Sequence, residues 1–149
     1  GRGGGGRAGG RDVTGPEDLW RAAVEARAKA YAPYSGFAVG CALRTQSGKV
    51  FLGANMENTS YPEGWCAETA AIAHMVMAAE DAADRAIAEL VVVAELDPPV
   101  TPCGGCRQRL AEFGSPSTMV HCGDPRAIRA SWTLGELLPA AFRLEGDGA

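Results

Sequence analysis

The sequence lacks an apolar run long enough to cross a bilayer, and it lacks an apolar segment near its first residue. The best candidate for a membrane span, Ile87–Leu96, is short and carries Glu89 and Glu95. The N-terminus does not have the pattern of a secretory signal peptide. The chain has 149 residues and five cysteines, an odd number that is not typical of a disulfide-stabilised secreted protein. We therefore expect a soluble, cytoplasmic protein with no membrane partner.

The first eleven residues, GRGGGGRAGGR, are seven glycines, three arginines and one alanine, which cannot supply a hydrophobic core. We expect residues 1–11 to be a disordered tail and residues 12–149 to form one domain. Such a tail could touch RNA, but a linker or a floppy extension is the favoured interpretation. Without the three arginines of the tail, 11 basic and 18 acidic side chains remain, a net charge of about −7. A surface this acidic repels phosphate backbones, so we expect no nucleic-acid partner.

Hydrophobic periodicity predicts a mixed sheet with helices packed on its faces. Residues 15–31, with Thr14 and Glu17 as a capping box around Gly15-Pro16, have the spacing of an amphipathic helix. The other predicted helices are Cys66–Asp81, Cys103–Phe113 and Thr133–Leu138. The predicted strands are Phe37–Arg44, Lys49–Ala54, Ile87–Leu96 and Thr118–Cys122, of which the first two form a hairpin. Hairpin strands followed by alternating strands and helices indicate an α/β sandwich.

Three cysteines stand at the predicted starts of two helices. Cys66 begins one helix, in YPEGWCAET, and Cys103 and Cys106 share a face of the first turn of another, in TPCGGCRQR. Thr101 is the expected N-cap of the second helix and Pro102 its first residue. A helix N-terminus offers unpaired N–H groups and the positive end of the dipole, which favour thiolates. Three such thiolates suit one Zn²⁺ per chain, with the fourth tetrahedral position left for water.

The carboxylate of Glu68 lies two residues after Cys66. In a first turn both side chains can lean over the open end of the helix, so Glu68 can reach the zinc-bound water without binding the metal. It could take the proton of that water and hand it to a leaving group. A lone C-x-x-C would be weak evidence, because it is equally typical of a structural zinc site or a redox pair. With the upstream Cys-x-Glu it matches the arrangement of zinc deaminases, which favours a catalytic metal.

Four longer stretches resemble the small cytidine deaminase family, over nearly the whole chain after the tail. They are AYAPYSGFAVG at 30–40, NMENTSYPEGWCAE at 55–68, PCGGCRQ at 102–108 and TLGELLPAAF at 133–142. The resemblance implies a three-layer α/β/α sandwich with a mixed central sheet. It implies zinc-dependent hydrolytic deamination of cytidine or deoxycytidine to uridine or deoxyuridine, a reaction of pyrimidine salvage that releases ammonia. It also implies a homotetramer with shared active sites.

The same resemblance gives roles to individual residues. The zinc ligands are matched by Cys66, Cys103 and Cys106, and the proton shuttle is matched by Glu68. Asn55 and Glu57 match the residues that bind the ribose 3′-hydroxyl, and Phe37 matches the aromatic residue that packs on the pyrimidine face. The backbone around Ala67 and Thr101 matches the groups that contact the base amide edge and the departing amine. Tyr61 and Phe142 match residues that complete the pocket of a neighbouring subunit. A carboxylate can accept a hydrogen bond from the hydroxyl of an uncharged sugar. The acidic charge of the chain also favours a nucleoside over a nucleotide.

One position departs from the family pattern. Most small cytidine deaminases have an arginine directly after Cys-Ala-Glu, where it hydrogen-bonds the zinc thiolates, and this chain has Thr69. Zn²⁺ with three thiolates has a formal charge of −1, which a hydroxyl cannot offset. We expect helix dipoles and neutral hydrogen bonds to compensate, with Gln108 pairing with Thr69. Arg107 or Arg109 could lend charge, but their directions do not follow from the sequence.

Three other protein classes compete with this interpretation. An aminoacyl-nucleoside antibiotic deaminase of the blasticidin type shares the three cysteines, but the Asn55-x-Glu57 pair and the Leu-Leu-Pro-x-x-Phe ending favour a cytidine deaminase. A nucleic-acid-editing deaminase is disfavoured by the acidic charge and by cysteine in place of histidine as the first ligand. A structural zinc module would use Cys122 as a fourth ligand. We instead expect Cys41 and Cys122 to be buried free thiols.

Overall fold

The computed structural model describes residues 15–144, so the predicted tail at residues 1–11 lies outside the described residues. The strands of this part of the chain are β1 (Val39–Thr45), β2 (Val50–Ala54), β3 (Ile87–Ala94), β4 (Met119–Gly123) and β5 (Ile128–Thr133). Its α-helices are α1 (Pro16–Arg27), α2 (Ala67–Ala78), α3 (Gly104–Phe113) and α4 (Leu134–Leu137). Within residues 15–144, no helix has the length and apolar character needed to cross a membrane.

The strands form one mixed sheet in the order β2-β1-β3-β4-β5. Strands β3 and β4 run parallel, and the other neighbouring pairs are antiparallel. Gly48, with φ of +90°, lies in the turn of the β1–β2 hairpin, where a side chain would be strained. Helix α3 lies in the crossover between the two parallel strands, as parallel pairing requires. The loop of residues 95–103 therefore connects the carboxyl end of β3 to the start of α3.

Helices cover both faces of the sheet. Leu19 of α1 packs with Val91 of β3 in one buried cluster. Met75 of α2 and Leu110 of α3 pack with Val92 of β3 in a second buried cluster. Because successive residues of a strand point to opposite faces, Val91 and Val92 contact different helical layers. The expected α/β/α sandwich is confirmed, and β3 is buried on both faces as predicted.

Helix α2 lies directly on β2 at Gly53. A Cβ at this position would be 2.2 Å from the carbonyl oxygen of Ala67 and 2.4 Å from the nitrogen of Ala71. Those neighbours are backbone atoms, which cannot move aside as a flexible side chain can. The absence of a side chain at Gly53 therefore allows the first turns of α2 to lie against the sheet.

Helix α1 is shorter than predicted. It begins at Pro16 and its N-cap is Gly15 rather than Thr14, which lies outside the described residues. It ends at Arg27 rather than at residue 31 because the chain there turns to meet the loop after β2. The N–H of Tyr31 donates a hydrogen bond to the carbonyl of Asn55, and the carbonyl of Tyr31 accepts one from the N–H of Glu57. Helix α1 therefore ends before the chain contacts a distant segment, although the helical sequence pattern continues beyond Arg27.

The sequence prediction missed β5. This strand pairs antiparallel with β4 and lies at the edge of the sheet. Its side chains alternate, with Ile128 and Ala130 half-buried and Arg129 and Ser131 exposed. None of its residues is fully buried, so the strand lacks the continuous apolar run that marks β3. The alternation itself was the signal that could have revealed it.

Candidate active site and metal centre

Helices α2 and α3 bring three thiols together at their N-terminal ends. Cys66 is the N-cap of α2, Cys103 is the N-cap of α3, and Cys106 lies in the first turn of α3. The three sulfur atoms all lie within 4.8 Å of one another. The predicted N-cap Thr101 and first residue Pro102 of α3 are wrong, because the helix begins two residues later.

A zinc ion suits this cluster. Thiolates bound to tetrahedral Zn²⁺ at about 2.3 Å lie about 3.8 Å from one another. The sulfur atoms of Cys66 and Cys103 are 3.9 Å apart, so this pair already has that separation. Soft sulfur donors at two helix N-termini are a ligand set that favours zinc. The side chains of Cys66, Cys103 and Cys106 are thus positioned to bind a metal ion.

The two remaining cysteines lie in the core, as predicted. Cys41 and Cys122 are free and fully buried in the cluster between the sheet and helices α2 and α3. Burial raises the pKa of the Cys41 thiol well above its ordinary value, and it raises the pKa of Cys122 to about 12. Among the described residues, neither thiol belongs to the group of three that could hold a metal ion. The cluster therefore offers three sulfur ligands, which argues against a closed four-cysteine module.

Glu68 lies beside the thiols with 4% of its surface exposed. The thiol of Cys106 donates a hydrogen bond to Oε2 of Glu68, with 3.3 Å between the two heavy atoms. Burial raises the pKa of the Glu68 carboxyl, while hydrogen bonds from its own backbone and from Cys106, and the charge of Arg109, oppose that rise. A carboxyl group whose pKa is raised by burial can hold a proton and release it again, as an acid–base catalyst must.

A cavity of 370 Å³ adjoins the cluster. It is lined by nine of the predicted site residues, namely Phe37, Asn55, Glu57, Tyr61, Cys66, Ala67, Glu68, Thr101 and Cys103. The other lining residues are Val39, Met56, Gly64, Trp65 and Val100. This mixture of apolar walls and a few polar groups is typical of small-molecule pockets. Trp65, the residue before Cys66, forms part of the cavity wall.

The side chains of Asn55 and Glu57 are held rigidly at the cavity rim. Asn55 accepts from the N–H of Val39 and donates to the carbonyl of Phe37, both at 2.8 Å. Glu57 accepts from the hydroxyl of Ser35 and from two neighbouring backbone N–H groups. The hydrogen bonds from Ser35 hold the pKa of Glu57 below its usual value. Glu57 is therefore a fixed, charged acceptor.

Phe142 is the one predicted site residue, apart from the buried Cys106, that does not line the cavity of its own chain. Its side chain is 70% exposed, and its carbonyl accepts from Nε2 of Gln108 at 3.1 Å. Gln108 therefore does not pair with Thr69, contrary to our expectation. This contact joins α3 to the segment after α4.

Arg107 holds the loop before α3. Its guanidinium donates to the carbonyl of Pro102 at 2.7 Å, the carbonyl of Leu137 at 2.8 Å and the hydroxyl of Thr101 at 3.2 Å. One of these contacts engages the Thr101 hydroxyl, and the N-cap of α3 is Cys103 instead. Sequence reasoning had considered Arg107 only as a source of charge for the thiols.

The sulfur of Cys106 has two polar neighbours besides Glu68. The hydroxyl of Thr69 lies 3.7 Å from it, and Nη1 of Arg109 lies 3.9 Å from it. The expectation that only neutral groups and helix dipoles would face the thiols is therefore incomplete, since a guanidinium approaches one of them.

Comparison with known proteins gives consistent matches. The family model described as "Cytidine and deoxycytidylate deaminase zinc-binding region" matches residues 14–122. A cytidine deaminase from Halalkalibacterium halodurans is 42% identical over 127 residues, which cover 85% of this chain and 93% of that protein. A cytidine deaminase from Mycobacterium tuberculosis is 40% identical over 124 residues, 83% of this chain and 86% of that protein.

Solved structures of cytidine deaminases match the fold as well. The crystal structure of the Burkholderia pseudomallei enzyme superposes with a TM-score of 0.80 at 42% identity, and the match covers 87% of this chain and all of that one. The Mycobacterium tuberculosis enzyme superposes with a TM-score of 0.73 at 35% identity, over 86% of this chain and 97% of that one. With a three-thiol cluster in the matched region, these similarities show that the chain belongs to the cytidine deaminase family.

Proposed function

We propose that the protein catalyses the zinc-dependent hydrolytic deamination of cytidine and deoxycytidine to uridine and deoxyuridine, with release of ammonia. One observation carries this proposal. Glu68 is buried beside three thiols that are positioned to bind a metal, and all but one of these four side chains line the same cavity. The relatives, which are themselves named cytidine deaminases, support the same activity.

The metal would be held by Cys66, Cys103 and Cys106, one zinc ion per chain. When bound, zinc supplies a Lewis acid that makes water a nucleophile near neutral pH. The N-terminal ends of α2 and α3 offer unpaired N–H groups and the positive end of a helix dipole, which stabilise negative charge. Burial nevertheless raises the pKa of the Cys66 and Cys106 thiols, and the positive charge of zinc, when bound, would offset this rise.

Glu68 is the proton carrier of the proposal. Deamination replaces the amine at C4 of the pyrimidine with an oxygen from water, so a proton must leave the water and the departing amine must gain one. The carboxylate would accept the first proton and deliver it to the ring nitrogen, and a second transfer would release ammonia. Burial supports this role, because it raises the pKa of Glu68 and excludes competing water.

The cavity walls would orient the nucleoside. Phe37 would pack on the pyrimidine face, and the backbone around Ala67 and Thr101 would contact the base amide edge and the departing amine. Asn55 and Glu57 would bind the 3′-hydroxyl. The fixed carboxylate of Glu57 supports this assignment. So does the amide nitrogen of Asn55, which has two N–H groups and gives only one to the carbonyl of Phe37.

The charge of the cavity favours nucleosides over nucleotides. The charged side chains that line the described cavity are Glu57 and Glu68, both acidic. A phosphate would enter without a basic partner there and would be repelled by the carboxylates. This point matters because the matching family model covers deoxycytidylate deaminases as well as cytidine deaminases.

The proposed assembly is a homotetramer in the cytoplasm, acting in pyrimidine salvage and without a nucleic-acid partner. Tyr61 lines the cavity with 74% of its surface exposed, and Phe142 is 70% exposed. Large aromatic side chains this exposed are typical of interfaces. In the proposal each would complete the pocket of a neighbouring subunit. Residues 12–149 would form the deaminase domain and residues 1–11 a tail outside it.

One ultraviolet assay tests the activity. Loss of the cytosine absorbance is followed for cytidine, deoxycytidine, CMP and blasticidin S at equal concentrations. We expect turnover of the two nucleosides and little or none of CMP. Turnover of blasticidin S alone would replace the proposal with the antibiotic deaminase. No turnover of any of them by zinc-loaded protein would overturn it.

A further inference from the structure

A positive charge approaches the buried thiol of the metal cluster. Nη1 of Arg109 lies 3.9 Å from Sγ of Cys106, and the hydroxyl of Thr69 lies 3.7 Å from the same atom. The two groups come from different helices, since Thr69 belongs to α2 and Arg109 to α3. Cys106 is fully buried, so these groups provide polar contacts that water does not.

The negative charge of the site makes such a contact important. Three thiolates around Zn²⁺ leave a formal charge of −1, and the Glu68 carboxylate lies 3.3 Å from the sulfur of Cys106. Excess negative charge around a metal lowers its strength as a Lewis acid, and groups that donate to the ligands counter this effect. Cys106 is the ligand with the greatest need for a donor, since it is the buried one.

Arg109 meets that need through the local geometry of α3. It lies three residues after Cys106, so both side chains project from one face of the helix. Gly105 leaves room for the guanidinium, because a Cβ at that position would lie 3.1 Å from Nη1 of Arg109. By contrast, Arg107 gives its hydrogen bonds to oxygens of the loop before α3 and of α4.

We propose that Arg109 is a positioning residue of the metal centre, whose guanidinium balances the charge of the thiolates through Cys106, with the Thr69 hydroxyl as a second donor to the same sulfur. The proposal rests on the zinc site of the proposed function. It predicts that Arg109 affects how tightly the metal is held, whichever substrate the enzyme takes.

Zinc release from the loaded protein tests it. The release rate into excess fluorescent chelator is measured for the wild type, Arg109→Gln and Arg109→Lys, with Arg21→Gln on the exposed surface of α1 as the matched control. Loss of a group that hydrogen-bonds a metal ligand costs roughly 10- to 100-fold in metal affinity or activity. Because Arg109 is exposed, we expect release about 10-fold faster in Arg109→Gln, partial rescue in Arg109→Lys, and no change in the control.

Salt separates a charge effect from a structural one. The screening length falls from about 10 Å at 0.1 M salt to about 3 Å at 1 M. The difference between the wild type and Arg109→Gln should therefore shrink at high salt. Equal release rates for these two proteins would overturn the proposal. So would faster release that Arg109→Lys does not rescue and that salt does not change, since that result would indicate a packing role.

A double-mutant cycle with Thr69→Val tests whether both donors act on one sulfur. Because the groups share Cys106, we expect the combined change in release rate to differ from the product of the two single changes. Independent effects would overturn the shared-donor part of the proposal. Zinc content of the wild type is measured first. A protein that holds zinc but does not deaminate cytidine would overturn the proposed function and leave this test valid, whereas one that holds no zinc would overturn both.

Discussion

Oε2 of Glu68 and Sγ of Cys106 are 3.3 Å apart, although 38 positions separate the two residues in the chain. This contact places the carboxylate of α2 against a thiol of α3, at the point where the two helix N-termini meet. Glu68 is therefore adjacent to the metal cluster without contributing to the three-sulfur ligand set. In the proposed mechanism this arrangement separates two tasks, since the sulfur atoms would hold the metal and the carboxylate would move protons.

Replacing Glu68 with glutamine should separate those tasks. Glu68→Gln has nearly the same shape but cannot accept a proton, so we expect turnover to fall by about 10²- to 10⁴-fold or more. Zinc content should stay at about one per chain, because the ligands remain. Glu112→Gln, at an exposed position of α3, is the matched control. Near wild-type turnover of zinc-loaded Glu68→Gln would remove this residue from the mechanism.

Cys122 should not be needed for the metal. It is fully buried in the core, outside the three-thiol cluster. We expect Cys122→Ser to retain zinc and activity, with a modest loss of stability from placing a hydroxyl in an apolar site. Metal analysis and the nucleoside assay measure the two quantities. Loss of zinc together with unfolding would instead support a four-cysteine structural module.

The meeting of the three thiols with Glu68 was predictable because these residues are local to two helix starts. A cysteine, a carboxylate two residues later and a C-x-x-C pair need only the helical geometry of one turn each to face the same point. The direction of long side chains was not predictable in this way. Arg107, Gln108 and Arg109 are consecutive, yet Arg107 contacts the loop before α3 and the end of α4. Gln108 contacts the chain after α4, and Arg109 contacts a metal-cluster thiol.

In the fold as well, features that depend on local sequence were predicted, and features that depend on distant contacts were not. The buried strand β3 was predicted from its continuous apolar run, and the two layers of helices follow from its two buried faces. The edge strand β5 has no fully buried residue and was missed. The end of α1 was misplaced because it depends on the backbone pairing of Tyr31 with Asn55, far along the chain.

A methyl group at Gly53 should disrupt the placement of α2. A Cβ there would lie 2.2 Å from the carbonyl oxygen of Ala67, in the first turn of the helix. Overpacking a core costs about 1–3 kcal/mol or more, and we expect Gly53→Ala to reach the upper end because backbone must move. Urea unfolding measures the loss. Gly15→Ala, where no atom lies within 4 Å of the new Cβ, is the control. Because Gly15 is the N-cap of α1, we expect this variant to lose about 1 kcal/mol, and equal stability of the two variants would contradict this account.

Stability should depend on pH through Asp84. The N–H of Glu80 donates to its carboxylate at 3.0 Å and Nζ of Lys49 lies 2.9 Å away, and such contacts lower the pKa of Asp84 from 3.8 to about 2. A carboxyl whose folded pKa is depressed stabilises the protein above its unfolded pKa, and that stability is lost as pH falls toward the folded pKa. The difference in unfolding temperature between the wild type and Asp84→Asn should therefore be full at about pH 6, shrink as the pH falls below about 4 and be mostly lost near pH 2. Since both proteins lose zinc in acid, the difference isolates Asp84. A constant difference would contradict the assignment.

Mixing two inactive variants tests whether active sites are shared between subunits. In our proposal Phe142 completes a neighbour's pocket, which agrees with its 70% exposure and with its absence from the cavity of its own chain. Phe142→Ala and Glu68→Gln should each be nearly inactive alone. After subunit exchange, a hybrid contains sites that combine Glu68 from one chain with Phe142 from another, so part of the activity should return. Two Glu68→Gln preparations mixed in the same way are the control. If mass spectrometry shows exchange and no activity returns, each pocket is complete within its own chain, and Phe142 does not act across the interface.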